Sequence, residues 1–93
     1  MQNNDLIGKI VLSKAGRDTN HLYVIIGQVD ENYVLLSNGN TKKVEKPKKK
    51  KLKHLSIIEN MNDEIKSAIM NNDKSTDLRI KNFLNVEGIV KEG

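Results

Sequence analysis

The sequence contains no cysteine, which excludes disulfide scaffolding, thiolate chemistry and cysteine-ligated zinc, and fits a reducing compartment. Aromatic residues make up only 3% of the chain, too few for an extended platform of rings stacked on a nucleic-acid strand. Histidine occurs twice, at His21 and His54, and neither has a second histidine three or four residues away, so no metal site is expected. No Ser or Thr stands beside an evident base, no phosphate-cradling P-loop is present, and no spacing alone brings two carboxylates together. These absences predict a protein that is not an enzyme and has neither cofactor nor small-molecule substrate. No run approaches the roughly 20 apolar residues that span a bilayer. Residues 1–5 are polar, without the basic-then-apolar layout of a signal peptide. The expectation is a cytoplasmic protein with no membrane partner.

What the chain does contain is unevenly placed charge. Its net charge is +4, but eight of the sixteen cationic residues fall in residues 42–54, with Glu45 the one acid among them. That segment therefore carries +7, while eight cations against eleven acids leave −3 on the remainder. A mildly acidic body bearing one dense basic stripe points to a polyanionic partner, because a localised positive field raises both encounter rate and affinity for phosphate. With 93 residues there is material for one compact core and none for a second independent one.

The pattern along the chain predicts a mainly β fold followed by a short helical pair. Residues 6–13 and 22–29 read as two strands rich in β-branched residues. Asp30-Glu31-Asn32 turns the chain into a third, residues 33–37 (Tyr-Val-Leu-Leu-Ser). Asn38-Gly39 then has the composition of a type I′ hairpin turn, with residues 40–45 as its returning arm. The strands lack a clean in-and-out alternation, as expected of a bent sheet whose second face is partly covered by loops or by the C-terminal segment. Pro47 and four consecutive lysines predict an exposed, lysine-rich loop over residues 46–53, since proline has no ladder donor and neighbouring like charges repel. Residues 52–58 are the candidate last strand. Beyond residue 59, Met61, Ile65, Ala68 and Ile69 recur at helical spacing behind a candidate N-cap at Asn62. Ser75 or Thr76 can cap a second helix that carries Ile80, Phe83 and Leu84 on one side and stops at Gly88. Two helices this short must pack on each other, on the sheet or on a partner. The domain organisation is thus a β unit over residues 1–58 and a helical extension over 59–93.

Between the first two strands lies Lys14-Ala15-Gly16-Arg17-Asp18-Thr19-Asn20-His21. Gly16 permits a backbone conformation closed to other residues, which serves either a tight turn or the close approach of backbone amides to an anion. Arg17 can meet a phosphate with a planar fork of donors, and Lys14 adds a point charge. With His21 and the later cations Lys42, Lys43, Lys46, Lys48, Lys49, Lys50, Lys51 and Lys53, these are the candidate residues for contacting a phosphate backbone.

The run Gly8-Lys9-Ile10-Val11-Leu12-Ser13-Lys14-Ala15-Gly16-Arg17-Asp18, followed by an apolar strand, resembles a KOW motif. Together with Lys42-Lys43-Val44-Glu45-Lys46-Pro47-Lys48-Lys49-Lys50-Lys51-Leu52-Lys53-His54-Leu55, it is similar to a family of small bacterial KOW-domain RNA-binding proteins related to archaeal and eukaryotic large-subunit ribosomal proteins. The resemblance covers about residues 5–58 and implies an SH3-like small β-barrel whose first loop and basic segment face RNA, with Gly16 at the motif's characteristic glycine. It implies structured RNA, rRNA included, as partner, with ribosomal proteins nearby. Such motifs commonly continue with a second glycine and a lysine, where this chain has Asn20-His21. Asparagine tolerates positive φ, so the turn can persist with one cation fewer.

Each feature also has a plainer reading. The lysine tract can be a solvated segment that keeps the protein soluble, or can face an anionic membrane, although no apolar anchor accompanies it. Tyr23 and Tyr33 can be core residues instead of base-stacking ones. The whole unit can be an SH3-like protein-interaction module of the transcription or translation machinery, with the basic stripe meeting an acidic protein surface.

Overall fold

The structure is a computed structural model that describes residues 6–17, 19–59 and 63–88. Five antiparallel strands, β1 (Ile10–Ser13), β2 (Leu22–Gln28), β3 (Tyr33–Ser37), β4 (Lys48–Lys51) and β5 (Leu55–Glu59), form one open sheet in the order β4-β3-β2-β1-β5. Helices α1 (Asp63–Met70) and α2 (Thr76–Gly88) follow. Strand β3 has the expected bounds, and β2 ends one residue early. The first strand is shorter than expected because Gly8, at φ 92°, turns the chain over residues 6–9 before β1 begins.

Both faces of the sheet are covered, which explains the missing alternation. On one face Val11, Tyr23, Ile25, Val34, Leu36 and Leu55 form a core, with Leu6 and Leu52 packed at its margin. On the other, Ile10 and Val24 pack with Ile65 of α1 and with Ile80 and Leu84 of α2, joined by Ile26, Ile69 and Phe83. Fully burying an aliphatic side chain contributes roughly 1.5–3 kcal/mol. A sheet this small therefore gains much of its stability from its helical cover.

Register shifts at Ile26 of β2 and Ile58 of β5 insert one residue each and bend the strands. The connection from β4 to β5 bends the sheet further. It is a single 3-10 turn, Leu52–His54, spanning about 6 Å at about 2 Å per residue. At its start the Leu52 N–H donates to the Asn32 carbonyl (2.7 Å), in the β2–β3 turn. At its end Leu55 pairs with Ser13, beside the β1–β2 loop. Those two loops lie at opposite ends of a flat hairpin, so three residues can join them only if the sheet curls strongly.

The segment from Asn38 to Leu55 departs from expectation. Residues 46–53 are not a loop: the four lysines are β4, paired with β3 from Leu36↔Lys48 to Tyr33↔Lys51. An edge strand needs ladder partners on one side only, Pro47 stands just outside it, and alternation sends successive lysines to opposite faces, which relieves their repulsion. Lysine is also a residue that keeps an edge from pairing with other chains. Residues 40–45 are accordingly not the returning arm. Among the described non-glycine residues only Asn20 and Asn72 have positive φ. Asn38 therefore does not form a type I′ turn with Gly39; its Oδ1 instead accepts from the amides of Asn40 and Lys42, both 2.9 Å. The last strand also starts later than residue 52, at Leu55. The expected helical residues Met61 and Asn62 lie outside the described residues.

The long β3–β4 loop docks on α2. Gly39, at φ +74°, lies against α2 so closely that a Cβ would collide with the Asp77 carbonyl and fall 2.8 Å from the Lys81 nitrogen. The Val44 N–H donates to Asp77 Oδ1 at 2.8 Å. Between the helices the Asp73 carboxylate accepts from the Ser75 amide (2.9 Å) and hydroxyl (2.8 Å). Thr76 Oγ1 donates to the Asp73 carbonyl (2.6 Å), and Arg79 bridges to Glu64 of α1 (2.7 Å).

Two expected outcomes follow from this packing. Gly39→Ala combines a disfavoured φ with a backbone collision, and should lower the unfolding free energy by about 2–4 kcal/mol; denaturant unfolding of the full chain would show otherwise if the midpoint stayed put. The bonds from Ser75, first its amide and then its hydroxyl, hold the Asp73 carboxyl below the ordinary 3.8, with Arg79 adding a smaller pull. Its contribution is therefore complete above 3.8 and lost as pH falls through the lowered value. Carboxyl titration by NMR should place Asp73 below 3.8, and Asp73→Asn should flatten the acid limb of stability.

Candidate nucleic-acid interface

The β1–β2 loop is braced from within. Ser13 and Asn20 close its base, through Ser13 N–H to the His21 carbonyl (3.0 Å) and Asn20 N–H to the Ser13 carbonyl (2.8 Å). At the tip the Gly16 carbonyl accepts from the Thr19 amide (3.3 Å) and hydroxyl (2.6 Å). Among the described residues of the loop, Gly16 at φ 89° and Asn20 at φ 74° are left-handed. Asparagine thus fills the conformational role of a second glycine, as expected from its tolerance of positive φ. The amides of Thr19 and Asn20 are engaged inside the loop, so the groups it could offer an anion are chiefly the side chains of Lys14 and Arg17. Both are exposed, as is His21. Asp18 lies outside the described residues.

The loop is also tied to the lysine strand. Lys50 Nζ donates to the Ala15 carbonyl at 2.7 Å, across 35 residues of sequence. Ser13 Oγ donates to the same oxygen at 3.2 Å. The Lys14 amide donates to the His54 carbonyl at 2.9 Å, beside exposed Lys53. Lys14, Gly16 and Arg17 are therefore held next to Lys50, Lys53 and His54, which the sequence separates by more than thirty positions.

Alternation divides the tetralysine into two pairs. Lys48 and Lys50 pair with Leu36 and Val34, and so share the face of the first core, where both are half-buried. Lys49 and Lys51 share the opposite face with Tyr33, over whose ring their Nζ atoms stand 4.9 and 6.0 Å from the centroid. Tyr23, by contrast, is buried in the core.

The remaining predicted cations are placed differently. Lys42, Lys43 and Lys46 belong to the loop that Gly39 and Val44 fasten to α2. Lys43 and Lys46 are exposed there and Lys42 is half-buried. The Tyr33 cluster is only half legible in the sequence. Tyr33 was a stacking candidate, but its lysine partners emerge from the β3–β4 register, which the loop assignment of residues 46–53 concealed. Among the described residues no three His, Asp or Glu side chains gather as a metal site would need, and no helix is long and apolar enough to cross a membrane. No protein-family model matches the chain, and comparison with curated proteins finds no relative.

The bond from Lys50 to Ala15 has a measurable consequence. Lys50→Met keeps the stem and removes the ammonium, and for a half-exposed bond of this kind about 1 kcal/mol of local stability should be lost. Hydrogen exchange at the Thr19 and Asn20 amides should then quicken about fivefold with global unfolding little changed. Unaltered protection would mean that the contact does not hold the loop.

Proposed function

We propose that this protein is a non-catalytic, KOW-type RNA-binding protein that grips the phosphate backbone of structured RNA, in association with the ribosome. The observation that carries this reading is the bond between Lys50 and the Ala15 carbonyl, because it joins the loop bearing Lys14 and Arg17 to the lysine strand. A polyanion lying across that junction would meet Arg17, Lys14 and Lys53, whereas Lys49 and Lys51 stand with Tyr33 on the opposite face of the lysine strand. An antiparallel meander whose fifth strand returns to the first, curled by a three-residue bridge, supports the finer assignment of a small SH3-like barrel. Phosphate contacts orient and bind without reading sequence, which fits a surface rich in ammonium groups and poor in rings.

An SH3-like protein-interaction module is the second reading. Edge strand β5 favours it, with Ile57 and Ile58 47% and 50% exposed, surface that an apolar partner would cover. Ribonuclease treatment separates the two readings, since complexes that survive digestion of RNA are held by protein.

For the leading reading, contact with four to six phosphates gives a slope of log K against log salt of roughly −3 to −5. Replacing Lys14, Arg17 and Lys53 together by alanine should weaken binding to unrelated structured RNAs alike and reduce the steepness of that slope by about 2–3. An isotherm unchanged between about 50 and about 200 mM salt, or a loss confined to one RNA sequence, would remove the phosphate-led mechanism.

A further inference from the structure

Of the chain's three aromatic residues, Tyr23 and Phe83 belong to the two cores. Tyr33 is the one set among cations. It is half-buried on β3, and the β3–β4 register places Lys51 opposite it and Lys49 opposite Leu35, all on one face. The two ammonium groups hang from positions about 6.6 Å apart along the strand, and both lean over the ring. Beside them a depression of about 420 Å³ opens between the β2–β3 turn and the 3-10 turn, lined by Glu31, Asn32, Lys51, Leu52 and Lys53. Lys51, whose ammonium stands over the ring, also lines the depression and so links the two.

An ammonium over a ring at an exposed position is held weakly, and a better arrangement exists for every group present. A nucleobase can take the ammonium's place on the ring, and a phosphate can receive the ammonium that is displaced. An unpaired nucleotide offers both at once. A duplex offers only the second, because its bases are already stacked on one another. The two lysines, one residue apart on the same face, can follow successive phosphates, while Lys53 extends the positive rim. Glu31 on the opposite rim repels phosphate, and together with the Asn32 carboxamide it presents hydrogen-bonding groups suited to a base edge. We propose that Tyr33, Lys49 and Lys51, with the adjoining depression, form a site for one unpaired nucleotide: the base lies on the Tyr33 ring and its flanking phosphates on Lys49, Lys51 and Lys53. This rests on the RNA-binding reading above and adds a preference for RNA that carries an unstacked base.

The test uses the full chain and two RNAs at matched salt, a hairpin with an unpaired loop and the same stem as a blunt duplex. Wild-type protein should favour the hairpin at least about fivefold, the lower end of what one stacked base contributes. Tyr33→Leu should abolish that preference while leaving duplex affinity and its salt slope in place, and Tyr33→Phe should keep it. In wild-type protein the Tyr33 ring protons should move upfield on addition of the hairpin and stay in place with the duplex, a readout that holds even if Tyr33→Leu folds poorly. Equal affinity for the two RNAs with unmoved Tyr33 resonances would overturn the site and leave the phosphate-led reading standing. Failure to bind either RNA would overturn that reading, and the site with it.

Discussion

The structure depends on a constraint of chain length: only Leu52–His54 separate a strand that ends beside Asn32 from one that begins beside Ser13. A flat five-stranded ribbon cannot satisfy it. The sheet curls, Val11, Tyr23, Ile25 and Leu36 are enclosed on its inner side, and the β1–β2 loop is carried towards the lysine strand. The bond from Lys50 to Ala15 is a product of that curl, and the juxtaposition of cations follows from it. The proposed backbone grip is thus an outcome of connection length more than of any single lysine.

The outer side is stabilised in a different way. Ile10 and Val24 gain their apolar environment from helices that begin more than thirty residues later, so sheet and helices share one core. The β3–β4 loop is drawn into this arrangement by Gly39 and by the Val44 amide on Asp77. Lys42, Lys43 and Lys46 consequently ride on a segment fastened to α2, while Lys48, Lys49, Lys50 and Lys51 ride on the sheet. One basic run in the sequence becomes two positioned groups.

Much of the β architecture was legible in the residues because it is written in local chemistry. The apolar stretches of β2 and β3, the turn at Asp30-Glu31-Asn32 and the apolar spacing of the helices all act over a few positions. Asn20 was legible for the same reason, since its left-handed backbone is a property of its own short amide side chain. The lysine strand was not. Its β conformation comes from register with β3 and from the tolerance of an edge, and nothing in four consecutive ammonium groups announces either. Misplacing it also hid the pairing of Tyr33 with Lys49 and Lys51. Asn38-Gly39 misled because its composition suits a tight hairpin, whereas α2, distant in sequence, needed Gly39 for a close backbone approach.

The sheet has two unlike borders, one an unbroken row of lysines and the other a strand with exposed isoleucines. The lysine border repels a second copy of itself through charge, and that repulsion is screened over about 10 Å at 0.1 M salt and about 3 Å at 1 M. Colloidal behaviour and the proposed RNA grip consequently draw on the same electrostatic field. Concentrated salt, which would strip the protein from a phosphate chain, also removes the barrier that keeps its molecules apart along that margin.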